Sequence, residues 1–145
     1  MLLIAAASIS ARSSLAWAAD KPVFTHPFGG PPIATPLKPG EAETPALTTF
    51  KETGANSYRG NASAVAEGKA LYEQWCQVCH GADASGAMGP SVIGSKHVYP
   101  QTATDVGMFA IIYAGASGAM QPFANRDLSQ DGMLKIIAYV RSLEK

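Results

Sequence analysis

Cys76-Gln77-Val78-Cys79-His80 brings both cysteines of the chain and one of its three histidines into five consecutive residues. Two cysteines separated by two residues and followed at once by histidine form the attachment motif of a c-type haem. On a helix, residues three and four positions apart share one face, so both thiols reach one porphyrin and the imidazole reaches its iron. Because both cysteines are then used in thioether bonds, none is left for a disulfide. The motif predicts one covalently bound haem, held by Cys76 and Cys79, with His80 as an iron ligand.

Two other uses of the Cys-x-x-Cys spacing fit the chain less well. The redox motif of thioredoxin-like proteins follows a buried strand within a βαβ unit, whereas a helical pattern precedes Cys76. A zinc site requires a second pair of ligands, and His26 and His97 are not spaced as such a pair. The sequence therefore favours haem over both alternatives.

Three segments with helical periodicity, and no credible pair of strands, predict an all-α fold. The first runs over residues 62–77, so that the haem motif lies at its end. A loop rich in glycine and proline follows over residues 81–101. The predicted N-terminal caps are Asn61 or Ser63, Thr104 and Ser129, and the helices are expected to end near Gln77, Gly115 and Leu143.

The N-terminal part of the chain divides into two predicted segments. Residues 1–18 combine a short apolar run with the cleavage signal Ala16-Trp17-Ala18, which predicts a signal peptide and export to the periplasm. No other apolar stretch approaches the length that spans a bilayer, so no stable membrane insertion is expected. Residues 19–60 form a proline-rich arm without helical or strand periodicity, and composition alone favours a disordered tail over an ordered arm. The haem domain is predicted over residues 61–145.

The charge balance excludes some classes of partner. The chain has 11 basic and 11 acidic side chains, and loss of Arg12 with residues 1–18 leaves 10 and 11, a net charge of −1. No basic stripe indicates nucleic-acid binding. A near-neutral chain also exerts little long-range attraction on a highly charged partner.

The second iron ligand is expected to be a methionine, because a thioether favours reduced iron and raises the potential. Met120 follows the small-residue loop 115–119, which lets the backbone approach the haem closely. Met120 is therefore the predicted ligand, and Met108 is the next choice. The other donors considered are Met88, Met133 and His97.

Pro90 has two possible roles. A proximal histidine usually donates its second ring N–H to a carbonyl, which fixes its orientation. The carbonyl of Pro90, ten residues after His80, is a suitable acceptor. The alternative is a proline that only shapes the turn, and the residues alone leave both open.

Four stretches of the sequence accompany the Cys-x-x-Cys-His motif: Gly68-Lys69-Ala70-Leu71-Tyr72, Gly89-Pro90-Ser91, Gly118-Ala119-Met120-Gln121-Pro122-Phe123 and Ala138-Tyr139-Val140-Arg141-Ser142-Leu143. Together with that motif they resemble class I cytochromes c. The resemblance implies three main helices around one haem, a crossing of the first and last helices at Gly68, and packing of Tyr72 and Tyr139 there. It also implies that the Pro90 carbonyl binds the proximal histidine and that Met120 is the distal ligand.

A narrower resemblance rests on three further stretches: Thr53-Gly54-Ala55-Asn56-Ser57-Tyr58, residues 99–109 and residues 112–121. They look like cytochrome c-L, the periplasmic electron acceptor of PQQ-dependent methanol dehydrogenases. The resemblance covers roughly residues 40–145 and implies an ordered arm from Gly40 onward. Some members carry calcium near the haem, but no residue cluster in this sequence assigns such a site.

These observations predict an exported, soluble, monohaem electron-transfer protein. The resemblance implies that it accepts electrons from a PQQ-dependent methanol dehydrogenase and passes them to a downstream cytochrome c or oxidase. If His80 and Met120 fill both axial positions, no open site remains for a substrate, so an enzyme is not expected. The alternatives are a generic class I cytochrome c that donates to a terminal oxidase, a haem enzyme or gas sensor, and a thiol–disulfide oxidoreductase.

Overall fold

A computed structural model describes residues 20–144, and the predicted signal peptide lies outside them. All regular secondary structure within these residues is helical, which confirms the all-α prediction. No helix among them is long and apolar enough to cross a bilayer. The helices are α1 (Pro45–Thr53), α2 (Ala62–Trp75), α3 (Gln77–His80), α4 (Asp105–Ala114) and α5 (Gln130–Ser142), with 3-10 turns at Pro100–Ala103 and Phe123–Asn125.

The close crossing of α2 and α5 organises the domain. Gly68 on α2 is buried, and a Cβ atom at this position would lie only 2.5 Å from the carbonyl carbon of Lys135 on α5. The rings of Tyr72 and Tyr139 pack beside the crossing with centroids 5.4 Å apart. Both expectations for the crossing are therefore confirmed, and the absence of a side chain at Gly68 is what lets the two backbones touch.

The predicted helix caps explain where the main helices begin. The side chains of Asn61, Thr104 and Ser129 each accept a hydrogen bond from the first turn of α2, α4 and α5 respectively. Each cap satisfies a backbone N–H that has no partner within the helix. The helix α2 ends slightly earlier than predicted. Cys76, the first residue of the haem motif, has a φ of −119° and interrupts the helix there. The rest of the motif forms the separate helix α3.

The prediction that the arm lacks helical structure is wrong for α1. Thr44 caps this helix through the N–H of Leu47, Pro45 occupies its first turn, and Gly54 ends it with a φ of 75°. Leu47 and Phe50 are fully buried. Two buried apolar residues within nine do not form a helical pattern that can be recognised in the sequence.

The arm packs against the domain rather than forming a disordered tail. The ring centroids of Phe24 and of Phe109 on α4 are 5.3 Å apart. The ammonium group of Lys38 donates to the carbonyl groups of Arg126 and Leu128 at 2.6 and 2.7 Å. The preference drawn from composition is therefore wrong for residues 20–60, and the order implied from Gly40 onward by the family resemblance is confirmed.

A buried carboxylate joins three parts of the chain. Asp105, at the start of α4, accepts two hydrogen bonds from Arg59 at 2.7 and 2.6 Å and one from Arg141 at 3.0 Å. Arg141, near the end of α5, also donates to the carbonyl of Thr102 at 2.6 Å. This network fixes the 3-10 turn at Pro100–Ala103 against the helices.

A second carboxylate connects the arm to α5. Asp131, in the first turn of α5, accepts hydrogen bonds from Thr44 and Tyr58, both at 2.6 Å, and pairs with Lys135 at 3.1 Å. Burial opposes ionisation here, but the hydrogen bonds from Thr44, Tyr58 and Lys135 outweigh it and hold the pKa of Asp131 below its ordinary value. The ionised carboxylate therefore stabilises the contact between the arm and the domain.

We expect Gly68→Ala to lower the free energy of unfolding by about 2 kcal/mol or more, because the new methyl group must push α2 and α5 apart. Chemical denaturation followed by circular dichroism measures the change. Gly132→Ala on α5 is the matched control, since the atoms that its Cβ would meet are side-chain ends of Leu71, Leu128 and Ser129. Equal losses from both substitutions would contradict the importance of the backbone contact.

We expect acid to weaken the protein partly through Asp131. Its pKa is lower in the folded protein than in the unfolded chain, so its contribution is complete above the unfolded value and is lost as pH falls through the folded value. Asp131→Asn should be less stable than the wild type at neutral pH, and its stability should decline less steeply below about pH 4. Urea denaturation at a series of pH values measures both slopes, and parallel curves would exclude this role.

Candidate cofactor site

An apolar cavity of about 270 Å³ lies beside the Cys-x-x-Cys-His motif. Its walls come from α2, the motif, the loop after it, α4, the loop before Met120 and α5. Three residues of its lining are exposed, Pro90, Val98 and Ser117. Most of the wall is hydrocarbon, supplied by Tyr72, Met108, Ile111, Ile112, Ile136 and Val140.

His80 is oriented toward a metal-binding role. Its Nδ1 atom lies 2.8 Å from the carbonyl oxygen of Pro90, and both residues line the cavity. Because a carbonyl only accepts, Nδ1 carries the proton and Nε2 keeps its lone pair free for a ligand. Gly89 permits this approach, since a Cβ there would come within 3.2 Å of the imidazole. This geometry is the one expected of a proximal haem ligand with Pro90 as its acceptor.

The two cysteines occupy different surroundings. Cys76 is half-buried and lines the cavity, whereas Cys79 is exposed and lies outside the lining. Burial, with a smaller effect of Cys79, raises the pKa of the Cys76 thiol to about 12. A thiol–disulfide oxidoreductase needs a reactive thiolate, which usually has a lowered pKa. Cys76 therefore lacks the lowered pKa of a reactive thiolate.

The structure leaves three of the five candidates for the second ligand at the cavity, two methionines and one histidine. Met120 and Met108 both line the cavity. Met88 is 80% exposed and Met133 is buried in the core, and neither borders the cavity. His97 lines the cavity as well, with its Nδ1 atom 3.1 Å from the hydroxyl of Thr102.

The loop that presents Met120 is closed by its own backbone. The N–H of Ala116 donates to the carbonyl of Met120 at 3.1 Å. A Cβ at Gly115 would lie 2.7 Å from the same carbonyl oxygen, and Gly115 has a φ of 80°. Glycine is thus required for the tight return of the chain that places Met120 at the cavity.

Sequence reasoning missed the polar side of the cavity. Tyr99, Thr102 and Ser117 line it, and the hydroxyl groups of Tyr99 and Ser117 are 2.6 Å apart. These residues belong to a loop and a 3-10 turn, for which no periodic pattern exists. All three residues lie in the stretches 99–109 and 112–121 that resemble cytochrome c-L, and this resemblance was the available signal.

The residues present fit a haem. Its lining includes His80, Cys76 and two methionines, Met108 and Met120, and most of the remaining wall is apolar. The hydroxyl-bearing residues of the lining suit a cofactor with some polar groups. Among residues 20–144, no group of three or more His, Cys, Asp or Glu side chains is placed to hold a separate metal ion.

Comparison with known proteins gives a consistent result. A family model described as "Cytochrome C oxidase, cbb3-type, subunit III" matches residues 63–140. Cytochrome c-L of Methylorubrum extorquens is 42% identical over 106 residues, which make up 73% of this chain and 53% of that protein. The chain therefore spans about half the length of this curated relative.

Two solved structures share the fold over most of both chains. Cytochrome cL from the marine methylotrophic bacterium Methylophaga aminisulfidivorans superposes with a TM-score of 0.79 at 34% identity, covering 84% of this chain and 81% of that one. Cytochrome cL from Hyphomicrobium denitrificans gives 0.75 at 34% identity, with 86% and 75% covered. The chain belongs to the class I c-type cytochromes, and within them to the cytochrome c-L family.

Proposed function

We propose that the protein is a periplasmic monohaem electron carrier that accepts electrons from a PQQ-dependent methanol dehydrogenase and passes them to a downstream cytochrome c or oxidase. The observation that carries the proposal is the cavity shared by Cys76, the carbonyl-bound imidazole of His80, and Met120. When bound, the haem supplies one-electron chemistry through its iron. Every other part of the function comes from the way the chain holds and surrounds that group.

Each residue of the cavity would have a separate role in holding the haem. The thiols of Cys76 and Cys79 would form the two covalent bonds, and His80 would be one ligand of the iron, held in orientation by the carbonyl of Pro90. The thioether of Met120 would be the other ligand and would favour the reduced state. The apolar wall excludes water and so limits the stabilisation of positive charge on the iron, which also raises the potential.

The same arrangement supports an electron carrier rather than an enzyme. With His80 and Met120 both bound to iron, no coordination position is left for a substrate or a gas. Electrons would pass where the cavity meets the surface, and the exposed residues of its lining are Pro90, Val98 and Ser117.

The choice of electron donor rests on similarity. Three named relatives are cytochromes c-L, and one of them comes from a methylotrophic bacterium. A second candidate is a generic class I cytochrome c that donates to a terminal oxidase, which the description of the matched family model as an oxidase subunit favours. The donor of electrons distinguishes the two.

Met120→Ala should open a coordination position on the iron and lower the midpoint potential. The measurement is binding of carbon monoxide to the reduced holoprotein at neutral pH, together with a redox titration. Met108→Ala is the matched control, because it removes the other cavity methionine and should cost about 2–5 kcal/mol of stability without opening the iron. If only Met108→Ala binds carbon monoxide, Met108 is the ligand.

Stopped-flow mixing with a reduced PQQ-dependent methanol dehydrogenase tests the proposed donor. The mature holoprotein should have the mass of the chain plus one haem. On mixing, its absorption spectrum should change to that of the reduced form on the time scale of the stopped-flow measurement. A rapid oxidation by a terminal oxidase without any reduction by the dehydrogenase would favour the generic cytochrome. A product without haem would refute both.

A further inference from the structure

The segment that joins Met120 to α5 has few hydrogen bonds to the rest of the protein. Residues 121–128 contain the 3-10 turn at Phe123–Asn125, and the backbone hydrogen bonds of this turn join residues only three positions apart. Residues 125–127 are exposed, whereas Leu128 is buried in the core. A segment with exposed backbone and few distant contacts opens more easily than the core does.

Lys38 of the arm holds the far end of this segment. Its ammonium group donates to the carbonyl groups of Arg126 and Leu128 at 2.6 and 2.7 Å. In the part of the chain that the structure describes, these two are the only hydrogen bonds that connect residues 121–128 to a distant residue. Hydrogen bonds from a charged donor are stronger than neutral ones. Lys38 is therefore the main polar restraint on the segment.

Glu41 keeps Lys38 in this position. One carboxylate oxygen of Glu41 accepts from the backbone N–H of Lys38 at 2.9 Å, and the other accepts from the backbone N–H of Gln130 at the start of α5. The side-chain amide of Gln130, which is buried, donates to the carbonyl of Pro36 at 2.9 Å. A carboxylate at the N-terminus of a helix is favourable, and here it also offsets the unfavourable effect of the nearby ammonium group. The arm is thus fixed to the start of α5 on both sides of Lys38.

The other end of the segment is fixed at the cavity. Met120 lines the cavity, and its carbonyl accepts from the N–H of Ala116 at 3.1 Å, which closes the turn after Gly115. Met120 therefore lies between this turn and the contact that the lysine makes with Arg126 and Leu128. Release of the lysine contact would let Met120 move away from the cavity together with the segment that follows it.

We propose that Lys38 is a positioning residue for Met120: its hold on residues 121–128 keeps the thioether at the haem iron and slows the loss of this ligand from the oxidised protein. The inference rests on the proposed function, because it takes Met120 as the iron ligand. The effect belongs to the oxidised state, since a thioether favours reduced iron and is bound less strongly by oxidised iron.

Displacement of the thioether by imidazole tests this role. Oxidised holoprotein is mixed with imidazole at rising concentration, up to the point where loss of the protein's own ligand limits the rate of the absorption change. Lys38→Ala should raise this limiting rate by about tenfold, which the loss of one hydrogen bond from a charged donor can supply. Lys38→Arg keeps several N–H donors at the same place and should return the rate towards that of the wild type.

Lys51→Ala is the matched control. The ammonium group of Lys51, on α1, donates to the carbonyl of Thr35 at 2.8 Å, so it also fixes the arm through a lysine and a backbone carbonyl. Both alanine substitutions remove one positive charge, but the Lys51 hydrogen bond goes to the arm rather than to residues 121–128. The limiting rate of Lys51→Ala should stay within about twofold of the wild type. Equal acceleration by both substitutions would assign the effect to general loosening of the arm and overturn the role of Lys38.

Hydrogen exchange distinguishes positioning of the ligand from stabilisation of the segment alone. The N–H of Ala116 reports on the turn at Met120, and NMR of the reduced holoprotein measures its exchange. This exchange should be faster in Lys38→Ala than in the wild type and unchanged in Lys51→Ala. Faster exchange with an unchanged imidazole rate would show that Lys38 only stabilises the turn, and the inference would be wrong.

Neither measurement uses a dehydrogenase, so the inference and the proposed function can fail separately. An unchanged imidazole rate in Lys38→Ala, in a protein that methanol dehydrogenase still reduces, overturns the role of Lys38 and leaves the proposed function intact. The expected rates in a protein that methanol dehydrogenase fails to reduce support the role of Lys38, and then only the donor is wrong. Assignment of the iron ligand to Met108 would also overturn the inference.

Discussion

The contact between the backbones of α2 and α5 at Gly68 is the constraint on which the site depends. A side chain at this position has no room beside the carbonyl group of Lys135. The crossing brings Tyr72 from α2 and Ile136 and Val140 from α5 into one wall of the cavity. The haem motif follows α2 directly, so the crossing also sets where that motif stands relative to the last helix.

Local hydrogen bonds account for the parts of the fold that could be predicted. The caps at Asn61, Thr104 and Ser129 each act within three residues, and the structure shows all three. The helix α1 escaped prediction because its stability comes from burial of Leu47 and Phe50 against distant residues. A pattern of two apolar residues carries no information about those contacts.

The candidate site likewise combines contacts between residues that are close in sequence with contacts between residues that are far apart. The Nδ1 atom of His80 lies within hydrogen-bonding distance of the Pro90 carbonyl oxygen, and the two residues are only ten positions apart in the chain. The glycine and proline residues of the loop that contains Pro90 already predicted its turns. The polar side of the cavity instead depends on the contact of Tyr99 with Ser117, which lie on different loops. No sequence pattern indicates that these two hydroxyl groups meet. Met108, the second choice for the iron ligand, also lines the cavity.

The network around Asp105 has a consequence for how this sequence can change. Two guanidinium groups share one carboxylate, and Arg141 also pairs with Glu144 at 2.7 Å, so the positive and negative charges of the group are balanced. Loss of one partner from a buried group of this kind leaves an uncompensated charge and is strongly destabilising, whereas joint replacement by apolar residues is often tolerated. Arg59 is half exposed, so Asp105 and Arg141 are the pair expected to be inherited or exchanged together, as one unit of variation among related chains.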